Sequence, residues 1–347
     1  MSIAALSCRL AQMESRPLYN KYSSYLKERY GELAYRVSVD AGFSCPNRKN
    51  GRNSPGCIFC DEAGSRAVYL RNDNGSYPEF LKFKESGLAD YPPFWSYQSV
   101  ESQINRAINF LSRRYKAKYF LLYFQAFSST YAAASILKEI YDTALDLCPQ
   151  GNLFKELIVS TRADCIDKEK AQLLASYKNE NKVEDVWCEL GLQTASDRLL
   201  KLINRGESVD DFVKSYNILK EAGIKVGVHI ICGLPSETPQ EQDKTISLLQ
   251  KLKPDGIKIH NLNVIRGTAL HTMYEKNPFH VDNMEEHIMR IIYYLRRLPA
   301  ATTVMRLTCD SDSLNLIAPS KKWNKSQLAI LLEKKMRELG AYQGELL

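Results

Sequence analysis

A chain of 347 residues, 44% hydrophobic and 25% charged, has the make-up of a globular protein, which excludes collagen-like, disordered and coiled-coil classes. Its longest apolar stretches, Phe120 to Phe124 and Val226 to Leu234, fall short of the roughly 18 to 20 residues a bilayer core demands, so they read as buried strands and no membrane partner is expected. The formal charge of +7 lies wholly in the two ends, with 11 basic against 6 acidic residues in 1–72, 10 against 5 in 290–347 and 26 against 29 between. That is the footprint of a polyanion partner in mild form, and equally that of a solvated surface.

Residues 1–34 form an expected helical lead. It holds the apolar run Ile3 to Leu6, too short and without the basic start of a signal peptide, so the protein is read as cytoplasmic. Tyr19, Tyr22, Tyr25 and Tyr30 follow at near-helical spacing, which favours core packing over base stacking. A strand is expected from Tyr35, then a connection of about 80 residues rich in Gly, Pro, Asn and Tyr; loops that long in a compact domain are usually functional. Further strands begin near Tyr119, Glu156, Asp185, Ile224 and Gly256, roughly 30 to 40 residues apart, which suits a strand, a loop and a crossover helix returning to a parallel neighbour. Helix starts are expected at Thr194 with Asp197, at Ser208 with Asp211, and at Thr238 with Pro239 and Glu241. Such apolar strands need cover on both faces, which leaves open a doubly wound sheet and a closed or partial barrel. An extension follows after about His280.

Nine cysteines scattered over the chain form an odd set, unlike the disulfide framework of a small secreted domain. Three of them, Cys45, Cys57 and Cys60, stand in a C-x11-C-x2-C arrangement within the loop after the first strand, where Gly51 and Gly56 let the chain wrap closely. A structural zinc ion wants a fourth ligand, yet the first histidine is His229 and the next cysteine, Cys148, lies beyond another strand. Three thiolates without a fourth also suit a four-iron cluster with one iron left open for a small molecule. The residues alone leave iron, zinc and unbound thiols as alternatives. No G-x-G-x-x-G, P-loop, H-E-x-x-H or G-x-S-x-G is present to support dinucleotide, nucleotide-hydrolase, zinc-protease or serine-hydrolase readings.

The segments VSVDAGFSCPNR, GCIFCDEAGS, FQAFSSTYA, STRADC, ELGLQTASDRLLKLINRG, HIICGLPSET and KIHNLNVIRGTAL, with RLTCDS, LIAP and YQG near the end, resemble those of radical S-adenosylmethionine (SAM) proteins of the Elongator-like branch, YhcC/YtqA (MnmL-like) type. The resemblance covers nearly the whole chain and puts its motifs at the carboxyl ends of successive strands, where an α/β barrel carries its active site. It implies a partial (β/α)6 TIM-type barrel over 35–280, preceded by the helical lead (1–34) and followed by a small α/β extension (281–347). It implies a [4Fe-4S] cluster on Cys45, Cys57 and Cys60, with SAM chelated to the fourth iron and cleaved reductively to a 5'-deoxyadenosyl radical, chemistry that belongs to the cofactor.

The family's SAM contacts carry over to Phe59 beside the adenine, Gln125 and Ser128 at the amino group, and Ser160, Arg162, Glu189 and Gln193 at the ribose or amino-acid end. Each has a structural rival: loop anchoring for Phe59, satisfaction of backbone for Gln125 and Ser128, and an Arg162 to Glu189 ion pair. His229 and His260 read as hydrogen-bonded core residues before catalytic ones. Cys165, Cys188 and Cys232 read as buried hydrophobes. Cys309 departs from the glycine expected at its place, although Asp310 matches.

The branch points to tRNA as substrate, at the C5 side chain of the wobble uridine, with carboxymethylaminomethyl-uridine processed to aminomethyl-uridine. A low-potential donor such as flavodoxin or ferredoxin would supply electrons. There is no room for the acetyltransferase domain of the Elongator catalytic subunit. A small metabolite or protein substrate, or a zinc-stabilised RNA-binding module, are the alternatives. For tRNA, the basic ends are expected to converge on one mouth, with Arg48, Lys49 and Arg52 on one side and Lys321, Lys322 and Lys325 on the other.

Overall fold

The computed structural model describes residues 17–49, 54–61, 97–148, 154–309 and 315–347. Among these residues nine strands are formed: β1 (Ala34–Val39), β2 (Tyr119–Phe124), β3 (Glu156–Thr161), β4 (Asp185–Gln193), β5 (Lys225–Cys232), β6 (Gly256–Asn261), β7 (Val264–Ile265), β8 (Thr303–Arg306) and β9 (Leu316–Ala318). The helices between and around them are α1 (Tyr22–Tyr30), α2 (Tyr97–Tyr115), α3 (Ala134–Asp146), α4 (Lys168–Asn179), α5 (Asp197–Leu202), α6 (Val209–Glu221), α7 (Pro239–Leu252), α8 (Ala269–Lys276), α9 (Met284–Leu295) and α10 (Lys325–Glu338). Among the described residues, no helix is long and apolar enough to cross a membrane.

Strand order resolves the choice of architecture. The seven-stranded sheet runs β1-β2-β3-β4-β5-β6-β8, every pair parallel. A doubly wound sheet reverses its order part-way, and this one does not. The sheet curls as a half-barrel, with β1 and β8 at the two ends of the strand order. The expected strand starts fall within one residue of those observed. The seventh strand is an addition: β8 lies within the expected extension, yet it pairs with β6 and completes the same sheet.

The outer face, with Val37, Leu122, Val159, Leu190, Val228 and Ile259, packs beneath the helices in one continuous core. The α6 and α7 starts carry the expected capping boxes at Ser208 with Asp211 and at Thr238 with Glu241, the latter with Pro239 in the first turn. The α5 start corrects the expectation at Thr194. Its cap is Ser196, whose hydroxyl accepts from Leu199 N, while Thr194 is buried 3.5 Å from the Thr245 hydroxyl.

The inner face is layered. Near the amino ends of the strands, Leu121, Ile158 and Trp187 pack against Leu26, Tyr22 and Tyr25 of α1, which closes the floor. Glu156, fully buried, accepts hydrogen bonds from the hydroxyls of Tyr22, Tyr25 and Tyr30 at 3.2, 3.3 and 2.9 Å. The tyrosine stretch therefore serves packing. Gly256 leaves room for Met305, whose sulfur would lie 2.6 Å from a Cβ there.

The two ends of the chain do meet, but at this floor. Val304 N donates to Asn20 O (2.7 Å), Gln343 N to Leu18 O (2.9 Å) and Asn20 N to Gln343 Oε1 (2.9 Å). They converge beside the start of β8, at the opposite end from the loop that carries the three cysteines.

Candidate active site at the carboxyl ends of the strands

The loop after β1 turns on Gly42, at φ 83°, whose N–H donates to Asp40 Oδ1 at 2.9 Å. Gln103 of α2 holds both backbone groups of Asp40 (2.8 and 2.9 Å), and Ser128 N donates to Ser44 O (3.2 Å), so the loop is fixed to α2 and to the exit of β2. Arg48 is buried, with Nη1 on Ser54 O (2.9 Å), Nη2 on Asp61 O (2.7 Å) and its guanidinium over the Phe127 ring. This corrects its expected place among surface phosphate contacts: it staples the two halves of the cysteine loop together. Lys49 is exposed, and Arg52 lies outside the described residues.

The turn after α5 clamps the same loop. Asn204 Nδ2 donates to Gly56 O (2.8 Å), Asn47 Nδ2 to Asn204 O (2.6 Å), and Ile58 N to Ile203 O (3.0 Å). Gly206 is needed here, because it sits at φ 72° and a Cβ would lie 2.8 Å from Asn47 Oδ1. Three donors face Cys57 Sγ: Asn47 Nδ2 at 3.5 Å, Arg205 Nη1 at 3.8 Å and Arg162 Nη1 at 3.9 Å. The hydrogen bond from Cys60 holds the Cys57 thiol well below its usual range, helped by the Arg205 and Arg162 guanidiniums against the effect of burial. That same bond, with burial, pushes the Cys60 thiol up. Buried Glu207 balances the two arginines, 2.5 Å from Arg205 Nε and 3.5 Å from Arg162 Nη2. Sequence reasoning gave Asn47, Asn204, Arg205 and Glu207 no role, although LLKLINRG was among the segments carrying the resemblance.

This donor set fits an iron–sulfur cluster. A thiolate-ligated cluster carries negative charge, and the guanidiniums and amide aimed at Cys57 stabilise it. The thiols of one tetrahedral zinc ion stand about 3.8 Å apart. Among the described residues, three ligating atoms come within 4.8 Å of one another at His280, Asp282 and Glu286, and not at Cys45, Cys57 and Cys60.

The other expected site residues spread over two levels. Phe59 packs on the satellite core of Leu199, Ile203 and Leu234. Gln125 and Ser128 follow β2, and the Ser128 hydroxyl is buried with no hydrogen-bond partner among the described residues. The Ser160 carbonyl accepts from Ser129 N (3.1 Å), and Arg162 is engaged through Nε and Nη2 by Asp164, both at 2.8 Å. Gln193 is buried at φ 68°, and Gly191 makes space for it and for Arg205, since a Cβ at Gly191 would lie 2.6 and 2.8 Å from their nitrogens.

Glu189 lies on the lower level and differs from expectation. It occupies the middle of β4, fully buried, and does not pair with Arg162. Its carboxylate meets Lys258 Nζ, Tyr123 Oη (2.5 Å), Arg36 Nη1 (2.9 Å) and His229 Nε2 (3.3 Å). Burial raises its proton affinity, but Arg36 and Lys258 outweigh that and hold the carboxyl well below its usual range. The strand pleat points alternate residues of β4 inward, so Glu189 faces the half-barrel lumen two levels below Gln193.

Residues 50–249 match the Radical SAM superfamily model, and residues 254–338 match the Radical_SAM C-terminal domain. The chain belongs to the radical SAM superfamily. It is 29% identical to the uncharacterized protein YtqA of Bacillus subtilis over 94% of this chain and 92% of that one. A tRNA uridine(34) acetyltransferase of Methanocaldococcus infernus is 33% identical over 52% of this chain and 33% of its own length. The structure of the archaeal Methanocaldococcus infernus Elp3 with an N-terminal deletion shares the fold, with a TM-score of 0.60 and 22% identity over 71% of this chain and 60% of that one. As a radical SAM protein, the chain takes a [4Fe-4S] cluster and SAM as cofactors.

Proposed function

We propose that this radical SAM enzyme modifies tRNA at the C5 side chain of the wobble uridine, taking carboxymethylaminomethyl-uridine to aminomethyl-uridine. In this reading Cys45, Cys57 and Cys60 hold the [4Fe-4S] cluster, which when bound supplies the electron for reductive cleavage of SAM. Arg162 and Arg205 offset the charge on Cys57, while Asn47, Asn204 and Arg48 keep the loop in one shape. Phe59 offers a flat apolar face to the adenine, and Gln125, Ser128, Ser160 and Gln193 offer polar atoms around the rim to the rest of SAM. Arg162 is shared between the rim and Cys57, and Glu189 acts from below as a counter-charge rather than as a contact. The floor closed by α1 limits access of water, which suits a radical intermediate.

The observation that carries the substrate is the similarity to a tRNA uridine(34) acetyltransferase across half of this chain. Lys49, Lys321, Lys322 and Lys325 are exposed, and in this reading they contact phosphates. Mass spectrometry of tRNA nucleosides tests the reading: a deletion strain should lose aminomethyl-uridine and accumulate the carboxymethylaminomethyl form. Unchanged wobble nucleosides would redirect the enzyme to a small metabolite or protein substrate.

A further inference from the structure

The flank of the half-barrel beside β1 carries a patch that neither the cluster nor SAM explains. Helix α2 packs on β1 and is tied near its start to the base of the cysteine loop, where Gln103 holds Asp40. From Gln103 it descends about 18 Å to Tyr115, at ~1.5 Å of rise per residue. Its solvent side is basic. Arg106 and Arg113 lie seven residues apart on one face with Phe110 between them, and Arg114, Lys116 and Lys118 follow, all of them exposed. Lys118 is paired with Glu32 at 2.6 Å, whereas Arg106, Arg113, Arg114 and Lys116 form no ion pair among the described residues. Glu101, the one acid of α2, stands five residues before Arg106 and so on a different face.

Aromatic rings are set among these charges. The Tyr115 ring stacks on that of Tyr35 in β1, with centroids 5.2 Å apart and 17° between the planes. It meets Phe110 edge-on at 6.2 Å, and the Arg114 guanidinium lies 5.8 Å from its centre. Despite these contacts Tyr115 stays 49% exposed and Phe110 44%. Exposed rings held in place this way offer a preformed face to another flat ring, and the cations around them favour a polyanion. A nucleic-acid strand supplies both, phosphates in series and bases to stack. An acidic protein would match the charges alone, and one that delivers electrons would have to approach the cysteine loop, at the other end of α2.

We propose that this flank, with Arg106 and Arg113 for phosphates and Tyr115 for a base, is an RNA-docking surface that holds the substrate outside the nucleotide being modified. The proposal rests on the tRNA reading for the identity of that RNA. A strand whose target base enters the mouth passes the start of α2, and its neighbouring stretch follows the helix toward Tyr115.

The test is binding across a salt series, on the anaerobically reconstituted full-length holoprotein, with unmodified tRNA and poly(U) as probes. Arg106→Ala/Arg113→Ala should lower the salt slope for tRNA by roughly two units, about one per lost phosphate contact, and Arg106→Lys/Arg113→Lys should restore it. Tyr115→Leu should weaken binding about fivefold or more at an unchanged slope, the scale of one stacked base. Melting temperature, iron content and SAM cleavage without RNA should match the wild type in the arginine variants. If the wild type binds tRNA and the double Ala variant keeps both affinity and slope, the surface is overturned and the tRNA reading stands. If tRNA does not bind but poly(U) does, with a slope that falls in the double Ala variant, the surface stands and the tRNA reading falls. If neither RNA binds, or if the double Ala variant slows cluster reduction by flavodoxin and leaves RNA binding intact, the surface is overturned.

Discussion

The Arg205 guanidinium lies 3.8 Å from Cys57 Sγ while its Nη2 donates to Gly191 O at 2.9 Å, so one side chain ties the turn after α5 both to the cysteine loop and to the end of β4. Charge at Cys57 and the shape of the strand end are set together. Arg205→Met should therefore impair cluster assembly as well as stability, because it leaves buried Glu207 with a weaker counter-charge. Iron and sulfide per chain after anaerobic reconstitution, read beside the melting temperature, separate the two effects.

Replacing Cys45, Cys57 or Cys60 by Ala should abolish the iron content and the absorption of the cluster. Cys188→Ala removes a fully buried thiol from the outer core and should cost stability but keep the iron. A triple variant that keeps four irons per chain would end the proposed ligation.

Glu189→Gln leaves Lys258 and Arg36 in the lumen without a carboxylate. The expected outcome is destabilisation by about 3 to 5 kcal/mol, the cost of an uncompensated buried charge, in place of a selective loss of SAM affinity. The pH dependence has a definite sign. The native carboxyl is held below its usual range, so its stabilisation is complete above its unfolded pKa and fades only as pH falls toward the native value. Denaturant titrations of wild type and variant from pH 7 to pH 3 should converge at the acid end.

Glu237 shows the opposite case. Burial lifts its pKa to about 7, and Arg290, 3.6 Å away, is engaged more closely by Asp282 at 2.5 Å. A carboxyl raised in the native state favours folding below its unfolded pKa and loses that advantage as pH rises through 7. Glu237→Gln keeps an oxygen for Gly233 N and should stabilise the protein by about 2 kcal/mol at pH 8, with little effect at pH 4.5. Thermal melts at the two pH values measure this.

Charge reversal at Lys321, Lys322 and Lys325 should weaken tRNA binding and reduce its salt dependence by about one unit of slope per lost phosphate contact. Arg48→Ala should instead loosen the cysteine loop and lower iron retention, because Arg48 spans Ser54 and Asp61. Filter binding across a salt series, with iron content in parallel, distinguishes the roles.

Much of the fold was legible because it is written locally. Runs such as YFLLYF and ELIVST announce strands, and Ser208 and Thr238 precede their helices with the acids that close the boxes. At Thr194 and Ser196 two neighbouring hydroxyls competed for one cap, and burial of Thr194 against Thr245 decided between them. The strand β8 escaped because TVMR is four residues long with no alternation to mark it. The cysteine loop could be read as a motif, whereas the pairing of Glu189 with Lys258, 69 residues apart, follows from adjacent inward positions on β4, β5 and β6 and has no sequence pattern. Arg48 looked like surface charge for the same reason, since its partners are backbone carbonyls.

The floor contacts between Asn20, Val304 and Gln343 also bear on biosynthesis. Residues near 20 leave the ribosome long before residues near 304 and 343, so β6 has an open edge and α1 lacks its neighbours for most of synthesis. Contacts of such sequence separation form late, and an exposed parallel edge invites wrong pairing in the meantime. Production at low temperature or with chaperones should therefore raise the soluble yield, and trimming near residue 340 should lower it more than the few hydrogen bonds removed would suggest.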